Sequence, residues 1–76
     1  MKIIVKEFYI EPRYIAYFRF ITEGYEGICL IHTVNSKLGI VKVSIPPHML
    51  DEFNEVIESL RDELKGDNLI ELIKFS

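Results

Sequence analysis

The sequence predicts an α+β fold in which two helices pack on one face of a four-stranded antiparallel sheet, in the order βαββαβ. Hydrophobic residues recur with a period of two or of 3.6 in six successive segments that follow this order. Proline stands where both helices should begin, at Pro12 and Pro47, and Gly24 and Gly66 stand where they should end. A chain of 76 residues has room for one such domain, which we assign to residues 1–76.

The first predicted strand covers residues 2–10, where β-branched and aromatic residues form a nearly continuous apolar run. Each face of this strand carries one charge, Lys6 or Glu7, so both orientations remain possible. The pattern favours Phe8 and Ile10 toward the helices. The residues that then face outward are Ile3, Val5 and Tyr9.

The first helix is predicted from Pro12, whose fixed φ and missing N–H suit the first helical position. It should end near Glu23, because Gly24 can take the left-handed conformation that follows many helices. The apolar and aromatic residues at helical spacing are Tyr14, Ile15, Tyr17, Phe18, Ile21 and Tyr25.

Two antiparallel strands are predicted next, over residues 28–34 and 40–45, joined by a hairpin loop over residues 35–39. Alternation along the second of these strands separates its two faces. The residues toward the helices are Val41, Val43 and Ile45, and those facing outward are Ile40, Lys42 and Ser44.

The second helix is predicted to follow Pro46 and Pro47, to end before Gly66, and to precede a last strand over residues 69–75. Its apolar stripe consists of Met49, Phe53, Val56, Ile57, Leu60 and Leu64. Right-handed crossovers place the first and third strands in the middle of the sheet and the second and fourth strands at its edges.

The composition predicts self-association. Small domains are marginally stable, and a single cysteine, Cys29, leaves no intramolecular disulfide to support this one. With 49% hydrophobic residues, the chain has more apolar surface than two helices and one sheet face can cover. We expect a dimer or larger homo-oligomer formed through the open sheet face or an edge strand. The expected interface residues are Ile3, Val5, Tyr9, Ile40 and Lys42.

No motif indicates catalysis or a cofactor. The sequence contains no glycine-flanked nucleophile and no glycine-rich phosphate loop, so we expect a non-enzymatic protein. The soft or imidazole metal ligands are Cys29, His32 and His48. In a strand, residues 29 and 32 point to opposite faces, so we expect no metal site.

The net charge of −3 argues against nucleic-acid binding, and the third strand lacks the aromatic residues that stack on RNA bases. An RNA-binding patch of Tyr9 and Lys42 is a lesser alternative. The apolar runs are too short to span a membrane, and no leader pattern follows Met1, so we expect a cytoplasmic location. A chain rich in Ile, Glu and Lys, without Gln or Trp, suggests a thermophilic source.

Residues 15–20, 23–28 and 39–41 resemble a family of small bacterial proteins of unknown function, and the element order resembles ferredoxin-like domains of the ACT type. The ACT resemblance implies an alternative function, a regulatory module that binds a small ligand between two subunits near the end of the first strand. ACT domains usually have a glycine there, whereas this junction contains Pro12 and Arg13.

The candidate ligand-binding residues are Arg13, Glu23, Gly24, Tyr25, Glu26 and Gly27. Arg13 and the first amides of the helix can meet an anion. The segment 23–27 combines two carboxylates, a phenol and two glycines at a helix-to-strand corner. A purely structural interpretation explains the same segment, since glycines commonly serve turns and carboxylates commonly face solvent.

Overall fold

The computed structural model describes residues 2–25 and 27–72, which form an α+β structure with a four-stranded antiparallel sheet and two α-helices. The elements are β1 (Ile4–Ile10), α1 (Ile15–Glu23), β2 (Leu30–Asn35), β3 (Ile40–Ile45), α2 (Leu50–Leu64) and β4 (Leu69–Leu72). A 3-10 turn precedes each helix, at Pro12–Tyr14 and at Pro47–Met49. The prolines therefore begin a tight first turn rather than the α-helix itself.

The strands lie in the order β2-β3-β1-β4, so β1 and β3 are central and β2 and β4 are at the edges, as the sequence predicts. β3 has the predicted bounds, whereas β2 begins two residues later than predicted. The last strand is confirmed for Leu69–Leu72, and its predicted continuation to residue 75 lies outside the described residues.

The core lies on one side of the sheet. The Phe8 ring of β1 contacts Phe18 of α1, with ring centroids 6.5 Å apart, and Phe53 of α2, with centroids 6.0 Å apart. Because a single inward side chain meets both helices, both helices cover the same sheet face. The buried hydrophobic residues are Phe8, Ile10, Phe18, Ile28, Val41, Val43, Ile45, Phe53, Val56, Ile57, Leu60 and Leu69. This confirms the predicted inward residues of β1, β3 and α2.

A cross-strand ion pair lets β1 keep a charge on its covered face. Lys6 shares that face with Phe8, and its Nζ lies 3.4 Å from Oε1 of Glu71 in β4. Both side chains stay partly exposed near the edge of the sheet, so neither charge is fully desolvated.

The two helices are joined by a polar contact at their solvent-facing side. The Tyr17 hydroxyl of α1 donates a hydrogen bond to the Glu63 carboxylate of α2. This hydrogen bond, together with smaller effects of burial and of the Glu63 charge, raises the pKa of Tyr17. Deprotonation of Tyr17 at high pH therefore removes the donor and breaks this contact.

A buried hydroxyl in α1 was not expected from the apolar pattern. Thr22 is 1% exposed, and its Oγ1 donates to the carbonyl of Phe18 at 2.9 Å. Because the hydroxyl bonds within its own helix, burial of Thr22 leaves no side-chain polar atom unsatisfied.

The predicted left-handed conformation of Gly24 is wrong. Its φ is −69°, and its N–H donates to the carbonyls of Phe20 and Ile21, so the helical turn continues through it. The left-handed residue comes later, at Gly27, whose φ is +75°. At the end of α2 the positive φ begins at Lys65 and continues at Gly66, and the Asn68 amide caps the last carbonyls of the helix.

Gly39 is the glycine on which the hairpin depends most. Its φ is +76°, and its carbonyl accepts a hydrogen bond of 2.7 Å from the N–H of Ile10. A Cβ at this position would lie 2.1 Å from the carbonyl oxygen of Ile10. Backbone at the end of β1 therefore leaves no space for a side chain.

We expect Gly39→Ala to lower the free energy of unfolding by about 3 kcal/mol, since it combines an unfavourable φ with a backbone clash. The matched control is Gly66→Ala, because Gly66 has a φ of +60° but no atom within 4 Å of the added Cβ. Gly66→Ala should lower the free energy of unfolding by only about 1 kcal/mol. Urea unfolding followed by circular dichroism measures both. Equal losses would show that the close approach at Gly39 does not constrain the fold.

Candidate functional site

The sheet face that the helices leave uncovered, here called the outer face, carries side chains from all four strands. The strand register arranges them in three rows that cross the strands. The first row is Leu30, Ser44 and Val5; the middle row is His32, Lys42, Glu7 and Leu72; the third row is Asn35, Ile40, Tyr9 and Ile70. The structure thus brings together on one face all the predicted interface residues, Ile3, Val5, Tyr9, Ile40 and Lys42.

The first and third rows of the outer face are mainly apolar. Leu30 is 77% exposed, Val5 is 55% exposed and Ile70 is 39% exposed. Ile3, just before β1, adds a further half-exposed apolar side chain next to the first row. Contiguous apolar groups of this kind are typical of interaction surfaces, whereas isolated exposed apolar residues are ordinary.

The middle row carries the charges of the outer face. Lys42 of β3 is exposed and lies directly opposite Glu7 of β1, and His32 of β2 extends the row on the far side of Lys42. Opposite charges at directly paired positions of an antiparallel ladder stabilise the pairing of the strands. The charged row therefore lies across the two central strands, between two apolar rows.

One end of the outer face is a shallow apolar groove with a volume of about 530 Å³. Its lining residues are Ile3, Val5, Gly27, Cys29, Leu30, Ser44 and Pro46. None of these residues is ionisable except Cys29. The groove extends the first apolar row to the beginning of β2, where Gly27 keeps the wall free of a side chain.

Cys29 is half-buried between this groove and the core. Burial raises the pKa of the Cys29 thiol to about 11, the charge of Glu23 acts in the same direction, and a hydrogen bond with Thr22 opposes them. The thiol is therefore protonated at neutral pH. A protonated, half-buried thiol is a weak nucleophile and packs as a small apolar group.

Arg13 lies in the 3-10 turn that follows β1, where its charge already has partners. Its Nε is 3.0 Å from Oε2 of Glu11, and the same oxygen accepts a hydrogen bond from the Arg13 N–H at 3.1 Å. The guanidinium carbon lies 4.9 Å from the centre of the Tyr14 ring. The anion that meets the turn amide and Arg13 in this structure is thus the carboxylate of Glu11.

The other predicted ligand residues lie at the opposite end of α1. Glu23 forms an i,i+4 ion pair of 3.9 Å with Arg19, and Tyr25 is 49% exposed. Glu26 lies outside the described residues. Nine helical residues rise about 13 Å, so Arg13 and Tyr25 do not share a pocket within one chain.

Tyr25 lines a small cleft of about 330 Å³ against α2. The other lining residues are Glu52, Glu55, Val56 and Ser59. Gly24 lies at the end of α1, and Gly27 belongs to the groove on the outer face. Tyr25 and Gly27 therefore contribute to two separate surfaces instead of one site.

The residues expected at the interface from the sequence did not include Leu30, Glu7 and Ile70. Leu30 is the most exposed of the large hydrophobic residues described in the structure. The strand periods alone did not find these residues, because row membership depends on the register between strands and on where β2 begins. The alternation of Leu30 with Ile31, read together with the pairing of Ile31 to Val43, is the signal that places Leu30 outward.

Within residues 2–25 and 27–72, no group of three or more His, Cys, Asp or Glu side chains is arranged to hold a metal ion. In the same residues, no helix has the length and apolar character needed to cross a membrane.

The family model for the domain of unknown function DUF4911 matches residues 8–64, about three quarters of the chain. The chain belongs to the DUF4911 family. Membership in a family of unknown function was expected from residues 15–20, 23–28 and 39–41, and the match confirms it. No curated protein and no solved structure matches the chain. The DUF4911 match covers part of β1 and all of α1, β2, β3 and α2, and so includes most of the outer face.

We expect the Cys29 thiol of this DUF4911 domain to react with iodoacetamide at pH 8 on the order of tenfold more slowly than an exposed thiol. The raised pKa lowers the thiolate fraction, and the greater nucleophilicity of that thiolate recovers part of the loss. Mass spectrometry of timed samples gives the rate. A Cys29→Ser, Leu38→Cys variant supplies an exposed thiol on the same fold, since Leu38 is 64% exposed. Equal rates for the two thiols would contradict the account of Cys29.

Proposed function

We propose that this protein is a non-enzymatic domain that self-associates by packing the outer faces of two copies against each other. The observation that carries the proposal is the position of exposed apolar residues on both sides of the charged row, on a face opposite the core. Removing this surface from water contributes about 25 cal/mol per Å² of apolar area. That is a large gain for a domain whose stability alone is only a few kcal/mol.

The size of the molecule suits a second copy as the partner. Its Cα dimensions are 33 × 30 × 17 Å, and the short dimension corresponds to one helix layer on one sheet. A broad side of these dimensions offers on the order of 1,000 Å², compared with the roughly 800 Å² per partner that a standard interface buries. Two sheets stacked face to face would convert each half-covered sheet into one covered on both sides.

The same proposal includes a fold type, a source and a cellular location for this domain. A ferredoxin-like domain of the ACT type is supported by the strand order β2-β3-β1-β4 with both helices on one face. A thermophilic source is supported by the composition, a bacterial source by the resemblance over residues 15–20, 23–28 and 39–41, and a cytoplasmic setting by the free Cys29. RNA binding is the weaker interpretation, because Tyr9 is the one aromatic side chain among the described rows of the outer face, and Lys42 is opposed by Glu7.

The cleft beside Tyr25 favours a second candidate function, a regulatory module that binds a small ligand. Its wall contains the carboxylates of Glu52 and Glu55 next to a half-exposed phenol, a combination that suits a ligand with an ammonium group. A thermal-shift screen of amino acids and nucleotides tests this role, because a ligand at 100 times its Kd adds about 2.7 kcal/mol to the folded state. A screen without any stabilising compound would remove the second candidate.

Self-association predicts that the wild-type chain sediments at twice its 8.9 kDa mass or more at micromolar concentration. Val5→Glu should reduce it to single chains, because a carboxylate then replaces an apolar side chain within the buried face. The matched control is Phe20→Glu, since Phe20 is 73% exposed but lies on α1, away from the outer face. Phe20→Glu should keep the wild-type mass. A wild-type chain that sediments as a monomer would contradict the proposal.

A further inference from the structure

The charged row imposes a condition on any face-to-face dimer of this domain. Lys42 and Glu7 lie opposite each other on the two central strands, so they fall in the middle of a buried outer face. Charges in the middle of an interface need an opposite charge from the partner, since like charges brought together there oppose binding strongly. The two copies must therefore be oriented so that Lys42 and Glu7 each meet an opposite charge from the partner.

Two aligned arrangements with a two-fold axis between the stacked sheets place the middle row of one copy over the middle row of the other. When the axis runs across the strands, along the middle row, each residue of that row faces its own counterpart. Lys42 then faces the partner's Lys42, and Glu7 faces the partner's Glu7. Both contacts join like charges.

When the axis runs parallel to the strands, between β1 and β3, each β1 lies over the partner's β3. Lys42 then faces the partner's Glu7, and Glu7 faces the partner's Lys42. The same operation keeps the third row in register with itself, so Ile40 faces the partner's Tyr9. The apolar rows contact apolar rows, and each charge has an opposite neighbour both in its own chain and in the other.

We infer that a second copy binds with its strands parallel to those of the first and with reciprocal Lys42–Glu7 contacts across the two-fold axis. This inference rests on the proposed function and adds to it the orientation of the partner. The apolar rows are removed from water in either arrangement. The charged row favours the arrangement in which opposite charges meet.

The test uses two charge reversals, Glu7→Lys and Lys42→Glu, alone and mixed in equal amounts. Each variant alone carries like charges along its middle row, so its dimer Kd should rise about 100-fold or more. In the mixture, a chain with two lysines meets a chain with two glutamates, and dimers should return. Pairing within one chain cannot explain that return, because the two residues of each variant still repel each other. Light scattering after gel filtration gives the mass of each sample.

The matched controls are Glu58→Lys and Lys37→Glu, which make the same charge changes at exposed positions of α2 and of the hairpin turn. Both should dimerise alone as the wild type does. Reversed variants that dimerise alone, or a mixture that stays monomeric while the wild type is dimeric, would overturn the orientation and leave self-association intact. A monomeric wild type would overturn the proposed function itself.

If a reversed chain does not fold, the double variant Glu7→Gln, Lys42→Gln provides the second test. Added salt screens charge pairs, so the wild-type dimer should weaken as salt rises from 0.1 to 1 M on the order of tenfold, and the double variant should not. The same dependence on salt in both proteins would also overturn the inferred orientation.

Discussion

The structure depends on one packing arrangement, in which Phe8 of the central strand β1 touches both Phe18 of α1 and Phe53 of α2. Because both helices meet the same inward residue, the helix layer covers one side of the sheet and none of the other. Residues 2–25 and 27–72 contain no further element that covers the second side. The one-sided core is therefore the physical reason that the outer face exists.

In the dimer that we propose, affinity and specificity come from different parts of the outer face. Its two apolar rows contribute surface whose removal from water is favourable. The row of Lys42 and Glu7 between them contributes charges that favour opposite charges and disfavour like charges on the partner. The other candidate groups already have partners within the chain, are half-buried, or lie on separate surfaces. Arg13 is bound by Glu11, Cys29 is protonated and half-buried, and Tyr25 lies on a different surface. Self-association through the outer face is therefore the function that we propose for this DUF4911 domain.

The sequence was most informative where one face of an element is fully buried. The bounds and orientation of β3 follow from strict alternation, and the stripe of α2 follows from its helical period. It was less informative for β1, because Lys6 and Glu7 make both faces look alike until Glu71 is seen beside Lys6. The outward residues that we propose for the interface could be named from single strands, but their rows could not, since rows depend on the register between strands.

Some local details depend on three-dimensional contacts that no pattern contains. Gly24 continues the turn of α1 because its N–H donates to the carbonyls of Phe20 and Ile21, and the left-handed conformation comes later, at Gly27.

The most direct test of the proposed dimer is an isotope-filtered NOE experiment on a mixture of labelled and unlabelled chains. The account predicts intermolecular NOEs between the Ile40 methyls and the Tyr9 ring. Intermolecular NOEs confined to helix residues, or none in a sample at high concentration, would contradict it.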